Sequence, residues 1–249
     1  MQVVFHEDFY QVYTSDPAAA AGRMQAIVEI IESNVELVKA RPAKEEEITF
    51  VHTKAHIDFV RQSGLYDISA LAAGAAIQAA EIGLAAPGFA LIRPPGHHAS
   101  SDSSWGFCYF NNMALALQTL KQNSQITTAY VLDIDLHYGD GTVNILEGKD
   151  YVSVHNMEGL DRHSYLSEIK MEMDHVQADL IGISAGFDNH QDDWGGLLTT
   201  EDYYTIGEMV KTASLRCGGG CFGILEGGYN HQVLGQNVMS LIQGLSGSH

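Results

Sequence analysis

Four short apolar runs, each ending on residues able to do chemistry, constrain this 249-residue chain more than any other feature. Tyr130-Val131-Leu132 runs into Asp133-Ile134-Asp135-Leu136-His137, and Ile181-Gly182-Ile183-Ser184 reaches Asp188. Gly223-Ile224-Leu225 precedes Gly227-Gly228-Tyr229, and Phe89–Ile92 leads to His97-His98. In open parallel sheets, ligands gather beyond the carboxyl ends of the strands. Apolar runs rich in Val and Ile alternate here with segments of helical spacing. The expected fold is therefore α/β, a mainly parallel sheet flanked by helices.

The remaining elements follow from spacing and caps. Asp16-Pro17 reads as an N-cap and first helical residue, after which Met24, Ile27, Val28, Ile31, Val35 and Val38 recur at helical intervals. Ile48–Val51 reads as a strand, the alanine-rich stretch 68–85 as a helix, and Asn111–Gln122 as another. Ala129–Asp135, Tyr151–His155, Leu180–Gly186 and Phe222–Leu225 are strand candidates. Thr199 or Thr200 caps a helix reaching about Leu215, and a last helix runs from about His231 to Leu245. No repeat, low-complexity tract or linker interrupts the chain, so residues 1–249 are expected to form one catalytic domain.

Composition narrows the function. No apolar run approaches the ~20 residues of a membrane span. Met1–Glu7 lacks the layout of a signal peptide. Three cysteines make no disulfide framework, and Cys217-Gly218-Gly219-Gly220-Cys221 has turn rather than metal spacing. A reducing cytoplasm is expected. The net charge of −18 disfavours nucleic acid as a partner. It serves either solubility or the attraction of cationic substrates, and composition does not choose between them.

Within Asp133–His137, residues two apart face the same side of a strand, so Asp133, Asp135 and His137 can converge. Carboxylate and imidazole are good zinc ligands; a hydrogen-bonded strand-end cluster without metal is the alternative. Arg93-Pro94-Pro95-Gly96-His97-His98 projects adjacent histidines from a stiff loop. Each can move protons or stabilise charge, with Asp133 and Asp140 as candidate partners for their far ring nitrogens. Asp188 either caps a turn or supplies a third ligand. Tyr229, after two glycines, either packs or donates to a developing oxyanion.

Together these motifs resemble the arginase–deacetylase superfamily, specifically the zinc-dependent histone deacetylases and acetylpolyamine amidohydrolases. The strongest pieces are Arg93–Ala99, Gly106–Asn111, Asp133–Gly141, Ser184–Asp188 and Leu225–Tyr229, in family order, and Glu226 resembles the class II and bacterial branches. The resemblance implies a three-layer αβα fold and removal of an acetyl or other short acyl group from an acyl-lysine, acetylpolyamine or similar small amine. It implies one zinc ion on Asp135, His137 and Asp188. It pairs His97 with Asp133 as an electrostatic residue, and His98 with Asp140 as general base and then acid. Tyr229 becomes the carbonyl donor, with Gly106, Phe107, Gly227 and Gly228 beside the substrate. An inner potassium site follows from Asp133, Asp135, His137, Ser153 and the carbonyl of Val154. Asn189 and His190 after Asp188 lack the second-metal signature of the arginases.

The chain also departs from that pattern. Between His155 and Leu180 it lacks the long loop that carries the opposite tunnel wall, and the stretch near Gly64–Asp67 is short. The site should then be broader and shallower on that side, with Trp194 either rebuilding part of the wall or simply packing. The rival functions are a non-catalytic binder of acyl-amines and a structural subunit whose oligomeric neighbour completes the tunnel.

Overall fold

Ala129–Asp133 forms β4, buried along its whole length, as is Leu180–Ala185 (β6); Gly220–Leu225 (β7) is buried from its second residue. Runs with no polar alternation suit strands covered on both faces. In a computed structural model describing residues 1–247, four further strands join them: Gln2–Phe5 (β1), Glu36–Lys39 (β2), Gly88–Ala90 (β3) and Val152–Asn156 (β5). Among the described residues, the sheet runs β2-β1-β3-β7-β6-β4-β5, and every pairing is parallel. Ala90, Ile224, Ser184 and Asp133 lie in one row across the four adjacent strands β3, β7, β6 and β4. The chemistry-bearing segments begin just past this row.

The helices pack in two sets. Tyr66–Gly83 (α4), rich in alanine and almost wholly buried, packs against Asn112–Gln122 (α5). Arg23–Ile31 (α1), His231–Ser246 (α9), Thr200–Cys217 (α8) and Arg162–His175 (α7) pack in series. Asp140–Leu146 (α6) links β4 to β5. Gly218, at φ +68°, ends α8, so the Cys217–Cys221 segment is a helix-to-strand turn. No helix among the described residues is long and apolar enough to cross a membrane.

Three local expectations fail. The helix after Pro17 is only a 3-10 turn, Pro17–Ala19, although Asp16 caps it through the Ala19 N–H at 2.9 Å. The helical spacing does not continue to Val38: α1 stops at Ile31, and Glu36–Lys39 pairs with β1 at the sheet edge. β-branched residues follow the pairing available to them, so tertiary context overrides the period. Ile48–Val51 is not a strand. Glu45–Ile48 is one helical turn (α2), its acidic start suiting the positive end of the helix, with the Lys44 N–H held by Glu47 Oε2 at 2.6 Å. Lys54–Gln62 (α3) and β1 were not anticipated.

Candidate active site

Beyond the β4 row, the chain turns so that three ligand atoms meet. His137 Nδ1 lies 3.1 Å from Asp135 Oδ1 and 3.0 Å from Asp188 Oδ2. One atom from each residue falls within 4.8 Å of the other two, the one such metal-binding group among the described residues. Both carboxylates are anchored by backbone. Asp135 Oδ2 accepts the Gly227 N–H at 2.8 Å, and Asp188 Oδ1 accepts the Leu136 N–H at 3.1 Å. Asp188 Oδ2 is buried, and its contact is that same His137 Nδ1 at 3.0 Å. Two buried carboxylates converging on one imidazole make a negative site that a cation offsets.

Two glycines make the approach possible. A Cβ on Gly227 would stand 2.5 Å from Asp135 Oδ2 and 2.7 Å from Asp188 Oδ2, and one on Gly186 2.2 Å from Asp135 Oδ2. Burial and the charge of Asp135 push Asp188 up to about 7. Burial also opposes ionisation of Asp135, but the charge of His97 and the His137 hydrogen bonds hold it below the usual carboxylate range. The donor set, the two converging buried carboxylates and the glycine cradle fit one metal ion on Asp135, His137 and Asp188.

The two histidines are set differently. His97 is buried, with Nδ1 3.1 Å from Asp133 Oδ2 and Nε2 3.8 Å from Asp135 Oδ1. Burial favours its neutral form, yet the two carboxylates outweigh it and raise its pKa well above the ordinary histidine value. His98 Nδ1 lies 2.7 Å from Asp140 Oδ1. Burial and the neighbouring His97 lower it to about 4, so at neutral pH it is an unprotonated base. Glu226, fully buried, accepts the Gly96 N–H at 2.6 Å and the His97 N–H at 3.2 Å, fixing the loop from which both histidines project. Arg93, also fully buried, donates to the carbonyls of Gln11 and Ala20 at 2.7 and 2.9 Å, tying that loop to the N-terminal segment.

Tyr229 follows Gly228, whose φ of +117° suits glycine. Asp193 Oδ2 accepts the N–H groups of Tyr229 and Asn230, both at 2.8 Å, and the Trp194 ring stacks on Tyr229 at 4.0 Å. Phe107 meets Tyr229 edge-on at 6.2 Å. Burial and the charges of Asp135 and Asp188 raise the Tyr229 phenol far above its ordinary value, so it stays protonated. Buried Arg23 donates to the carbonyls of Glu226 and Gly228 at 2.7 and 2.8 Å, holding this segment from behind.

A cavity of about 120 Å³ joins these groups, lined by His97, His98, His137, Phe107, Tyr229 and Trp194 among others. Gly106 and Gly227 line it too; Gly228 does not. No residue of the short connection from Asn156 to Arg162 reaches it, and Trp194 stands on the wall instead. A larger cleft of about 410 Å³, by Glu7, Glu32 and Lys39, holds none of these groups.

One expected grouping is not assembled. Ser153 pairs with Tyr130 and Val154 with Val131, whereas Asn156 stands opposite Asp133. Ser153 is exposed and lies three positions short along the strand, roughly 10 Å from the Asp133 row. The potassium lining drawn from Ser153 and Val154 is corrected accordingly. Asn156 Oδ1 accepts the Gly139 N–H at 2.7 Å.

Four contributors escaped the sequence reading: Arg23, Asp193, the supporting role of Glu226, and Trp105. Trp105 stacks on His98 with ring centroids 3.9 Å apart and donates through Nε1 to Asp140 Oδ2 at 2.9 Å. Its place directly before Gly106-Phe107 was the available signal. Arg23 left none, since its partners lie more than 200 residues away.

Comparison with known proteins adds four findings. A profile of the histone deacetylase domain matches residues 61–165 and 158–245, two segments meeting where β5 passes directly towards α7. A probable deacetylase of Methanothermobacter thermautotrophicus is 29% identical over 304 aligned positions, covering 98% of this chain and 91% of that protein. That alignment is longer than the chain, so the relative has segments without a counterpart here. Human polyamine deacetylase HDAC10 is 26% identical, over 98% of this chain and 48% of that protein. Among solved structures, the HDA15 HD domain superposes with a TM-score of 0.84 at 24% identity, over 99% of this chain and 89% of that one.

Proposed function

Because this chain belongs to the histone deacetylase family, we propose that it is a zinc-dependent amidohydrolase that removes an acetyl or other short acyl group from a small amine. The observation that carries this reading is the convergence of Asp135, His137 and Asp188 beside a cavity lined by His98, His137 and Tyr229. Zinc, when bound, polarises the acyl carbonyl and acidifies the attacking water.

The chain's own residues supply the rest. His98, neutral and held at Nδ1 by Asp140, takes the proton of the water on Nε2 and returns it to the leaving amine. His97 stays cationic between Asp133 and Asp135 and offsets negative charge as it develops. Tyr229 donates its phenolic proton as a hydrogen bond to the carbonyl oxygen.

The cavity suits a short acyl amide better than a long buried alkyl chain, since about 120 Å³ leaves little room beyond the reacting group. Small acylated amines, acetylated polyamines among them, are the proposed substrates. The net charge of −18 favours cationic ones. A reducing cytoplasm suits the unpaired cysteines. The test is to load the purified protein with zinc and offer it an acetylated polyamine, an acetyl-lysine peptide and simple acyl amides. Release of acetate from at least one, abolished in Asp188→Ala, is expected. Tight zinc binding with no hydrolysis of any would favour the non-catalytic binder instead.

A further inference from the structure

Trp105 has no part in the mechanism above, yet its indole touches both members of the pair that moves the proton. We propose that Trp105 is a positioning residue for His98 and Asp140, its N–H fixing the carboxylate and its ring covering one face of the imidazole. The Asp140 carboxylate is shared between two donors: Oδ1 lies 2.7 Å from His98 Nδ1, and Oδ2 accepts the Trp105 Nε1–H at 2.9 Å. The indole and imidazole rings lie 3.9 Å apart and 31° from parallel, against 4.0 Å from His98 to His97 and 6.0 Å to His137.

Asp140 needs such a second anchor. It opens α6, and its side chain is 36% exposed, whereas His98 is 4% exposed. With His98 and a weaker backbone bond from Gly141 alone, a carboxylate at the water boundary is freer to turn about its last torsion, and each turn moves the acceptor away from His98. A planar carboxylate held at both oxygens is not.

The backbone is arranged to bring the indole there. Gly106 and Phe107 both have positive φ, +57° and +68°, and the second is not a glycine. A non-glycine residue in this region is uncommon and tends to persist where the surroundings dictate it. The pair of left-handed residues sends Trp105 to His98 and Phe107 to Tyr229. A Cβ at Gly106 would stand 2.4 Å from His98 Cδ2, so the chain passes against the edge of the same ring. Trp105 itself is 56% exposed, so core packing does not account for its position.

The proposal rests on the deacylase reading, and the experiment separates the two. Trp105→Phe keeps a ring over His98 but removes the N–H. It is compared with wild type, with Asp140→Ala and with the double variant, all zinc-loaded and checked for folding by circular dichroism. Trp105→Phe should lower kcat about tenfold, the scale of one hydrogen bond to a charged group, with KM changed less than twofold. In the Asp140→Ala background, the same substitution should have no further effect. The low-field proton resonance of His98 Nδ1–H, assigned by its loss in Asp140→Ala, should broaden or move in Trp105→Phe. An unchanged kcat, a loss confined to KM, or losses that multiply in the double variant would overturn the proposal. Should wild type hydrolyse no acyl amine, the deacylase reading fails and the proton resonance alone decides: unchanged in Trp105→Phe, it overturns the positioning role.

Discussion

Asp188 carries one oxygen bonded to a backbone N–H and another, also buried, that faces His137 Nδ1 at 3.0 Å. Asp188→Ala removes one of three ligands, so the folded variant should lose most of its zinc, as circular dichroism and metal analysis will show. Tyr229→Phe, by contrast, should retain zinc and lose about 10² to 10³ in kcat, the scale of one oxyanion donor. Full activity in that variant would mean that the hydroxyl points away from the carbonyl.

His52 makes a prediction about stability. It is buried, its Nε2 accepts the Asn111 N–H at 2.9 Å, and burial with neighbouring His56 lowers its pKa from 6.5 to about 3. The unfolded chain therefore binds the proton more readily than the folded one. The contribution of His52 is complete above about pH 6.5 and erodes as pH falls towards about 3, by about 1.4 kcal/mol per unit. His52→Gln keeps an acceptor and cannot titrate. The difference between its urea midpoints at neutral and mildly acid pH should be smaller than in wild type; an equal difference would place the acid sensitivity elsewhere.

At the scale of elements, the turn Leu225–Tyr229 is built around contact. Gly227→Ala would force both metal-facing carboxylates aside, so zinc affinity should fall sharply although β7 remains intact. Titration with a competing chelator reads this directly. Asp202 joins two helices: it accepts the Thr199 N–H at 2.7 Å as part of the α8 cap, and both of its oxygens bind Arg162 of α7 at 2.6 Å. Asp202→Ala should cost roughly 1–2 kcal/mol, from the cap and the partly exposed ion pair together, and lower Tm without changing kcat.

The same elements show what the sequence made legible. β4, β6 and β7 are apolar runs covered on both faces, so composition and position agree, and the segments that follow them bring ligands to one edge. β2 lies at the open edge and is mostly exposed, so its residues carry no burial signal and Val35 and Val38 fell into the preceding helical period. Ser153 was matched to a family position by its neighbours in sequence, but strand register is a property of pairing, and the pairing puts Asn156 beside Asp133. Trp105 was visible as a residue but not as a partner, because stacking on His98 depends on two left-handed residues that no local pattern announces.

For the molecule as a whole, 31 acidic residues face 13 basic ones. A field of that sign speeds the arrival of cations and fades with salt. Raising ionic strength from roughly 0.01 to 0.15 M shortens the screening length from about 30 to 8 Å. kcat/KM for a cationic acylated amine should then fall several-fold, while that for a neutral amide of similar size should hardly move. Equal responses would leave solubility as the sole role of the charge.

The order of the sheet has one more consequence. β3, β7, β6 and β4 are neighbours in space, yet the segments beyond their ends, from His97 to Tyr229, span more than half of the chain. Only Asp135 and His137 are close in sequence, so an unfolded chain offers an ion two ligands at most, and the third arrives when β6 docks on β4. On the proposed reading, zinc affinity should report global registry: slippage of the central strands should discharge the ion, and removal of the ion should loosen the strands. Zinc at about a hundred times its dissociation constant should raise Tm by roughly 5–10 °C. Chelation should therefore be felt in hydrogen exchange of β4 and β6, far from solvent, and not only at the mouth of the cavity.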